Sequence, residues 1–195
     1  MTTVNDLKEA LKTLGDKPKF ERQLEFASLI TDYFKNKGIT PIVVGGLSVE
    51  IYTRNDYHTH DIDFVSERWD LFDELLTELG FQRTQRAWYH LESEIAIEVP
   101  SNKLEGSLDR VYEISLPNGK KLYVIGVEDI IIHRIEGIAF TLKYPEEDED
   151  YEWAYRMFLI HKDDIDKDYL IQQAKQVNIA SFIEPWFNPK ESTDI

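Results

Sequence analysis

Apolar side chains recur at helical spacing in two N-terminal stretches, residues 4–14 and 20–37. In the first stretch Leu7, Leu11 and Leu14 share one helical face, and the second repeats the spacing over more turns. Gly38 follows at once, where glycine commonly ends a helix. The pattern therefore predicts two amphipathic helices at the start of the chain.

The middle of the chain changes to short apolar runs and alternating patterns that are typical of strands. Glycine and proline separate these runs, which predicts tight turns between short elements. The predicted elements are a buried strand within 39–46 running into a glycine turn, a short helix over 47–53, a strand over 61–65, a helix over 67–80, two or three strands within 81–100, of which the last spans 94–99 and ends at Pro100, and a hairpin within 111–126.

Helical spacing returns in the last third of the chain, over 127–142, 145–162 and 167–177. An order of helices, strands and helices predicts an α+β fold with α/β-like features, in which helices flank a mixed sheet. We expect one domain over 1–195. Its parts would be the N-terminal helices (1–38), a sheet core (39–126) and the C-terminal helices (127–195).

Composition narrows the class of protein. The chain has 195 residues, 42% of them hydrophobic, which suits a globular domain with a real core. It has no cysteine, which excludes disulfides, thiolate zinc sites and cysteine nucleophiles. The charged N-terminus lacks the apolar segment of a signal peptide, and no apolar run is long enough for a membrane span. We expect a cytoplasmic protein with no membrane partner.

The formal net charge of −15 is the strongest global signal. An acidic surface repels nucleic acid and anionic membranes, because contacts with phosphate need lysine and arginine. The charge argues against a broad nucleic-acid-binding face, although a small basic pocket remains compatible with it.

Four potential metal ligands lie within a short segment of residues 45–64, "GGLSVEIYTRNDYHTHDIDF". Two interpretations compete: a transition metal bound by His58 and His60, or Mg²⁺ bound by Asp61 and Asp63. Alternate residues of a strand share a face, so the two aspartates point one way and the two histidines the other. The aspartate interpretation is favoured, and the histidine interpretation predicts tightly bound zinc, manganese or iron.

A third acid, Glu98, lies between apolar residues in the predicted strand "EIAIEVP". Together Asp61, Asp63 and Glu98 predict a site for one Mg²⁺ ion or for a pair of ions, an arrangement suited to phosphoryl transfer. Gly45 and Gly46 follow a strand and precede a helix, where backbone N–H groups can bind phosphates and the hydroxyl of Ser48 can assist.

Some residues near this predicted site have two possible roles. Arg83 and Arg86 can meet a phosphate or an acidic acceptor, or can form surface ion pairs. Trp69, Trp88 and Tyr89 can stack on a base or pack in the core.

The segment "VVGGLSVEIYTRNDYHTHDIDFV" resembles the signature of the DNA polymerase β-like nucleotidyltransferase superfamily. It is similar to a prokaryotic branch that includes the nucleotidyltransferase toxins of type IV toxin–antitoxin systems. "LGFQRTQRAWYH", "IAIEVP" and "VIGVEDIIIHRIEG" extend the resemblance over roughly residues 25–175.

The resemblance implies a nucleotidyltransferase fold and gives each site residue a role. Asp61 and Asp63 would be the metal ligands and Glu98 the third acid. Gly45 and Gly46 would hold the nucleotide phosphates. Arg134 stands where many toxin relatives carry a lysine, and we expect it to bind nucleotide. Apart from the resemblance, an acid of the run 146–152, such as Asp150, can orient Arg134.

The resemblance also implies an activity: Mg²⁺-dependent transfer of NMP from an NTP such as ATP to a hydroxyl. The acceptor would be a protein, a small molecule such as an antibiotic, or an RNA end, in a toxin-like or resistance-like enzyme. An antitoxin or a second copy of the chain would be its protein partner. The alternative is a non-catalytic nucleotidyltransferase-like module that binds a partner.

Overall fold

The computed structural model describes residues 1–141 and 143–188. The chain falls into two compact units, Met1–Gly126 and Val127–Ile195. None of the described helices has both the length and the apolar character needed to cross a membrane.

The N-terminal unit contains helices and all of the strands in the described part of the chain. Its elements are, in order, α1 (Val4–Leu14), α2 (Lys19–Lys35), β1 (Ile42–Val44), α3 (Gly45–Tyr52), β2 (Asp61–Val65), α4 (Trp69–Glu78), β3 (Gln82–Arg83), β4 (Ala87–His90), β5 (Ile95–Ser101), β6 (Tyr112–Ser115) and β7 (Lys121–Val124).

The strands of the described residues form one mixed sheet in the order β3-β4-β5-β2-β1-β7-β6. β2 runs parallel to β5 and antiparallel to β1, and β1 runs parallel to β7. β2 and β5 are therefore neighbours in the sheet although α4, β3 and β4 separate them in sequence.

Phenylalanine rings fix β2 against the helices of the N-terminal unit. Ile62 and Phe64 are fully buried on one face of β2. The ring of Phe72 lies 5.5 Å from Phe64 and 4.4 Å from Phe34, measured between centroids. Because side chains alternate along a strand, burial of this face turns Asp61 and Asp63 to the other face, where they are half-buried. The core of the unit thus sets the positions of both acids.

The C-terminal unit consists of helices in the described residues: α5 (Val127–Ala139), α6 (Glu149–His161), α7 (Lys167–Gln176) and α8 (Ala180–Phe187). Trp186 on α8 donates from Nε1 to the hydroxyl of Tyr151 at 2.8 Å and packs against Phe158, with ring centroids 5.4 Å apart. These contacts attach α8 to α6.

The predicted α+β fold, with helices flanking a mixed sheet, is confirmed. Several details differ from the sequence-based expectation. α3 begins at Gly45 rather than at Leu47. β5 continues through Pro100 to Ser101, and the pairing of β2 with β5 shifts between Asp63 and Val65. Such an irregularity is where a strand tolerates a residue without an N–H group. Helix α8 was not predicted, because Pro185 lies inside it.

Candidate metal centre

Three carboxylates converge on one face of the sheet. Asp63 on β2 pairs with Glu98 on β5, and Asp61 is two residues before Asp63 on the same face. One carboxylate oxygen from each of Asp61, Asp63 and Glu98 lies within 4.8 Å of the other two, and all three residues are half-buried. Three negative groups this close repel one another unless a cation lies among them. An all-oxygen donor set of this kind fits a hard divalent ion.

Gly45 and Gly46, the glycine turn at the N-terminus of α3, lie close to this acid cluster. Gly45 has φ +59°, a left-handed conformation that disfavours other residues. A Cβ atom at Gly45 would lie 2.0 Å from Oδ2 of Asp63, and one at Gly46 would lie 2.2 Å from Oγ1 of Thr59. The N–H of Gly46 donates to Oδ2 of Asp63 at 3.4 Å. Only glycine at both positions allows this close approach, so the turn and the acids form one packed arrangement.

Ser48 takes a supporting position in this arrangement. Its side chain is fully buried, and the hydroxyl donates to the carbonyl oxygen of Gly45 at 2.7 Å. This bond braces the turn from within α3.

Glu50 is a residue of the site that the sequence analysis missed. Its side chain is only 2% exposed, and Oε2 accepts the N–H of Thr59 at 3.1 Å. The hydroxyl of Thr59 in turn donates to Oδ1 of Asp61 at 3.1 Å. Glu50 therefore ties α3 to the segment that leads into β2 and orients Asp61 through Thr59. The signal available in the sequence was an acid between the apolar residues Val49 and Ile51 of the predicted helix.

The two histidines lie beside other partners. Nδ1 of His58 is 3.4 Å from Oε1 of Glu50, and the His58 side chain is 74% exposed. Nδ1 of His60 is 3.1 Å from Nζ of Lys19. Within the described residues, the group of three or more potential ligands that converges contains the three acids and no histidine. The geometry favours the carboxylate interpretation.

A cavity of about 370 Å³ adjoins Glu98 at the ends of β4 and β5. Residues that line it include Trp69, Arg83, Arg86, Trp88, Glu98 and Pro100. Trp88 is almost fully buried and donates from Nε1 to Oδ1 of Asp73 at 3.0 Å, as a core residue would. Trp69 is 38% exposed, and the guanidinium carbon of Arg83 lies 4.7 Å from its ring centroid.

Arg134 belongs to the C-terminal unit, where Nη1 donates to Oδ1 of Asp150 at 2.7 Å. Asp150 is the partner that the sequence predicted. Binding of nucleotide by Arg134 stays a prediction.

Comparison with solved structures identifies the fold. An antigenic nucleotidyltransferase-like protein from Paracoccidioides brasiliensis matches with a TM-score of 0.61 at 15% identity, over 86% of this chain and 88% of that one. The solution structure of the antibiotic-resistance factor ANT(2'')-Ia matches with a TM-score of 0.48 at 13% identity, over 80% of this chain and 91% of that one. Its crystal structure in complex with adenylyl-2''-tobramycin matches with a TM-score of 0.49 at 14% identity, over 84% and 97% of the two chains.

No family model matches the chain, and no curated relative matches it by sequence. The fold assignment rests on the Paracoccidioides protein, which superposes more closely than ANT(2'')-Ia does. The chain has a nucleotidyltransferase fold.

Proposed function

We propose that this protein is a Mg²⁺-dependent nucleotidyltransferase that transfers NMP from an NTP to a hydroxyl of an acceptor. The observation that carries the proposal is the convergence of Asp61, Asp63 and Glu98 within 4.8 Å on neighbouring strands. The glycine turn beside Asp63 supports it, because backbone N–H groups at a helix N-terminus can bind phosphate.

Asp61, Asp63 and Glu98 would hold the metal, since hard divalent ions prefer carboxylate oxygens. When bound, Mg²⁺ supplies positive charge that offsets the charge of the phosphates and of the developing transition state. Thr59 and the N–H of Gly46 keep two of these carboxylates oriented before any ligand arrives.

Other residues of the chain would bind the phosphates and accept the proton. Backbone N–H groups at the start of α3 would bind the phosphates of the NTP, and Ser48 would keep Gly45 in place. The Glu98 carboxylate would accept the proton of the attacking hydroxyl. A bond forms between the acceptor oxygen and the α-phosphorus, the bond from that phosphorus to the bridging oxygen breaks, and pyrophosphate leaves with the electron pair. Catalysis would come from positioning and electrostatics.

We propose ATP as the first of the four nucleotides to test. Membership of the toxin–antitoxin branch, with an antitoxin or a homodimer as partner, stays a prediction from the sequence resemblance.

The proposal is tested by calorimetric titration of ATP, GTP, CTP and UTP with and without Mg²⁺. Wild type should bind at least one NTP only when Mg²⁺ is present. The Asp61→Asn/Asp63→Asn variant should lose that binding, because it removes two of the three carboxylates.

A matched control keeps this test specific. Glu67 and Glu92 are exposed acids of the same unit that are not part of the cluster, so Glu67→Gln/Glu92→Gln removes the same formal charge from other positions. This control should bind like wild type. Absence of binding to all four NTPs by wild type would overturn the enzyme proposal and favour a non-catalytic binding module.

A further inference from the structure

The cavity beside Glu98 lies across the acid cluster from the glycine turn. Asp63 pairs with Val44, the residue before the turn, on one side and with Glu98 on the other. Glu98 pairs in turn with Ala87, which lines the cavity. Residues paired across strands project to the same face, so one row runs from the turn through the two acids to Ala87. The row that pairs Trp88 with Arg83 projects to the other face, so the cavity lies where the β3–β4 turn meets the end of β5, and residues of both rows line it.

The order of the turn, the acids and the cavity determines the side from which an acceptor hydroxyl can approach the phosphorus. The attacking and leaving oxygens are roughly in line, on opposite sides of the phosphorus. If the pyrophosphate end of an NTP lies at the glycine turn, the acceptor approaches from the side of Glu98. The cavity lies on that side, and Glu98 is among the residues that line it.

Positive charge at the cavity is unusual for this chain, which has 37 acidic and 22 basic residues. Arg86 is exposed, and its guanidinium makes no hydrogen bond or ion pair with any residue that the structure describes. Arg83 is partly held by Asp73, with 3.4 Å between Nη1 and Oδ1, and half of its side chain is exposed. Two guanidinium groups at one cavity favour a ligand with a phosphate or carboxylate group.

The wall of the cavity suits a planar ligand. The guanidinium of Arg83 lies over the ring of Trp69, and the centroids of Trp69 and Trp88 are 5.4 Å apart. Aromatic rings pack well on guanidinium planes and on tryptophan. A volume of about 370 Å³ is that of a small-molecule site.

We propose that this cavity is the acceptor subsite and that it takes a small anionic acceptor carrying a planar ring, with its hydroxyl directed at Glu98. The inference rests on the proposed transferase function. It predicts that a small phosphorylated or carboxylated compound with a hydroxyl group is an acceptor. It also predicts that a cationic amino sugar is not, because Arg83 and Arg86 would repel it.

The first test measures binding without metal or nucleotide. Phenyl phosphate, phenol and benzylamine are titrated into protein in EDTA, with detection by ligand-observed NMR. We expect phenyl phosphate to bind most tightly and Arg86→Gln to weaken it about tenfold, through loss of a charge-assisted contact. Arg156→Gln removes the same group from an exposed position outside the cavity lining and should leave binding unchanged.

Three results would overturn the inference: no binding of phenyl phosphate at millimolar concentration, tighter binding of benzylamine, or equal affinity in wild type and Arg86→Gln. Arg86→Gln should fold normally, because the side chain has no partner to lose within the described residues.

The second test uses turnover. Protein with Mg²⁺ and an NTP labelled at the α-phosphate is offered ribonucleoside 5′-monophosphates, the matching nucleosides and a cationic amino sugar. Label should pass to the monophosphates, and Arg86→Gln should lower kcat/KM for them about tenfold while the Kd of the NTP stays unchanged. Transfer to the amino sugar alone, or to added RNA or protein alone, would overturn the inference.

The two proposals fail in different ways. If the NTP binds with Mg²⁺ but phenyl phosphate does not bind, only the acceptor subsite is refuted. If phenyl phosphate binds through Arg86 but no NTP binds, the transferase proposal fails, and the acceptor role of the cavity fails with it.

Discussion

Replacing Gly45 with alanine should have two effects, which a control substitution at Gly38 can separate. The first is backbone strain, because φ is +59° and a residue with a Cβ atom pays about 1–2 kcal/mol in the left-handed region. The second is a collision, since the added Cβ would lie 2.0 Å from Oδ2 and 2.7 Å from Cγ of Asp63. Non-bonded heavy atoms rest near 3.5 Å, so the Asp63 carboxylate has to move by more than about 1 Å.

Gly38→Ala is the matched control. Gly38 has φ +77° and nothing within 4 Å of the site of an added Cβ atom, so it carries the strain without the collision. Gly38→Ala should lose about 1–2 kcal/mol of unfolding free energy, measured by urea denaturation, and Gly45→Ala should lose at least as much, because the collision adds to the strain. Only Gly45→Ala should also lose affinity for Mn²⁺, measured by EPR, and for ATP with Mg²⁺, measured by calorimetry.

The loss of metal affinity in Gly45→Ala should be at least about tenfold, since even indirect disturbance of a metal ligand costs about 10–100-fold. Equal metal affinity in Gly45→Ala and wild type would refute the reasoning, because it would mean that Asp63 does not depend on the turn. A similar loss in Gly38→Ala would attribute the effect to stability alone.

Two further predictions concern stability. Glu50→Ala should lower the unfolding free energy by about 1–3 kcal/mol, because it leaves the N–H of Thr59 buried without its acceptor. Urea denaturation should show this loss. The exposed control Glu92→Ala should stay within about 0.5 kcal/mol of wild type. The ammonium of Lys120 and hydrogen bonds from Thr2 lower the pKa of Asp32 from 3.8 to about 2. The stabilising contribution of this carboxylate is therefore present above about pH 4 and lost between about pH 4 and pH 2. Asp32→Asn should cost about 1 kcal/mol at pH 7 and clearly less near pH 2, where about half of the folded carboxyl is protonated. An equal cost at both pH values in urea denaturation would contradict this assignment.

The sequence predicted the acids of the candidate site because local patterns carry that information. Alternation along a strand puts Asp61 and Asp63 on one face, and Glu98 lies among apolar residues where an acid is unusual. It could not supply the register that sets Asp63 opposite Glu98, because parallel pairing between β2 and β5 depends on tertiary packing.

Other features were hidden for different reasons. The role of Glu50 depends on a contact with Thr59 across a turn of irregular backbone, which periodicity does not encode. The cavity arises where the β3–β4 turn meets the end of β5, so Arg83 and Arg86 could be named from the sequence but not placed beside Glu98. Helix α8 tolerates Pro185 because its contacts through Trp186 outweigh local propensity.

The hydrogen bond from Gly46 to Asp63 connects the N-terminus of α3, the proposed phosphate site, with a carboxylate of the proposed metal site. A nucleotide phosphate that draws the N-terminus of α3 toward itself also repositions a carboxylate that would bind the ion. Occupancy of either position would then alter the affinity of the other, and thermodynamic linkage requires the factor to be the same in both directions. If the proposed function holds, the protein would respond to the metal and the nucleotide jointly, and its affinity for an NTP would follow the concentration of free Mg²⁺.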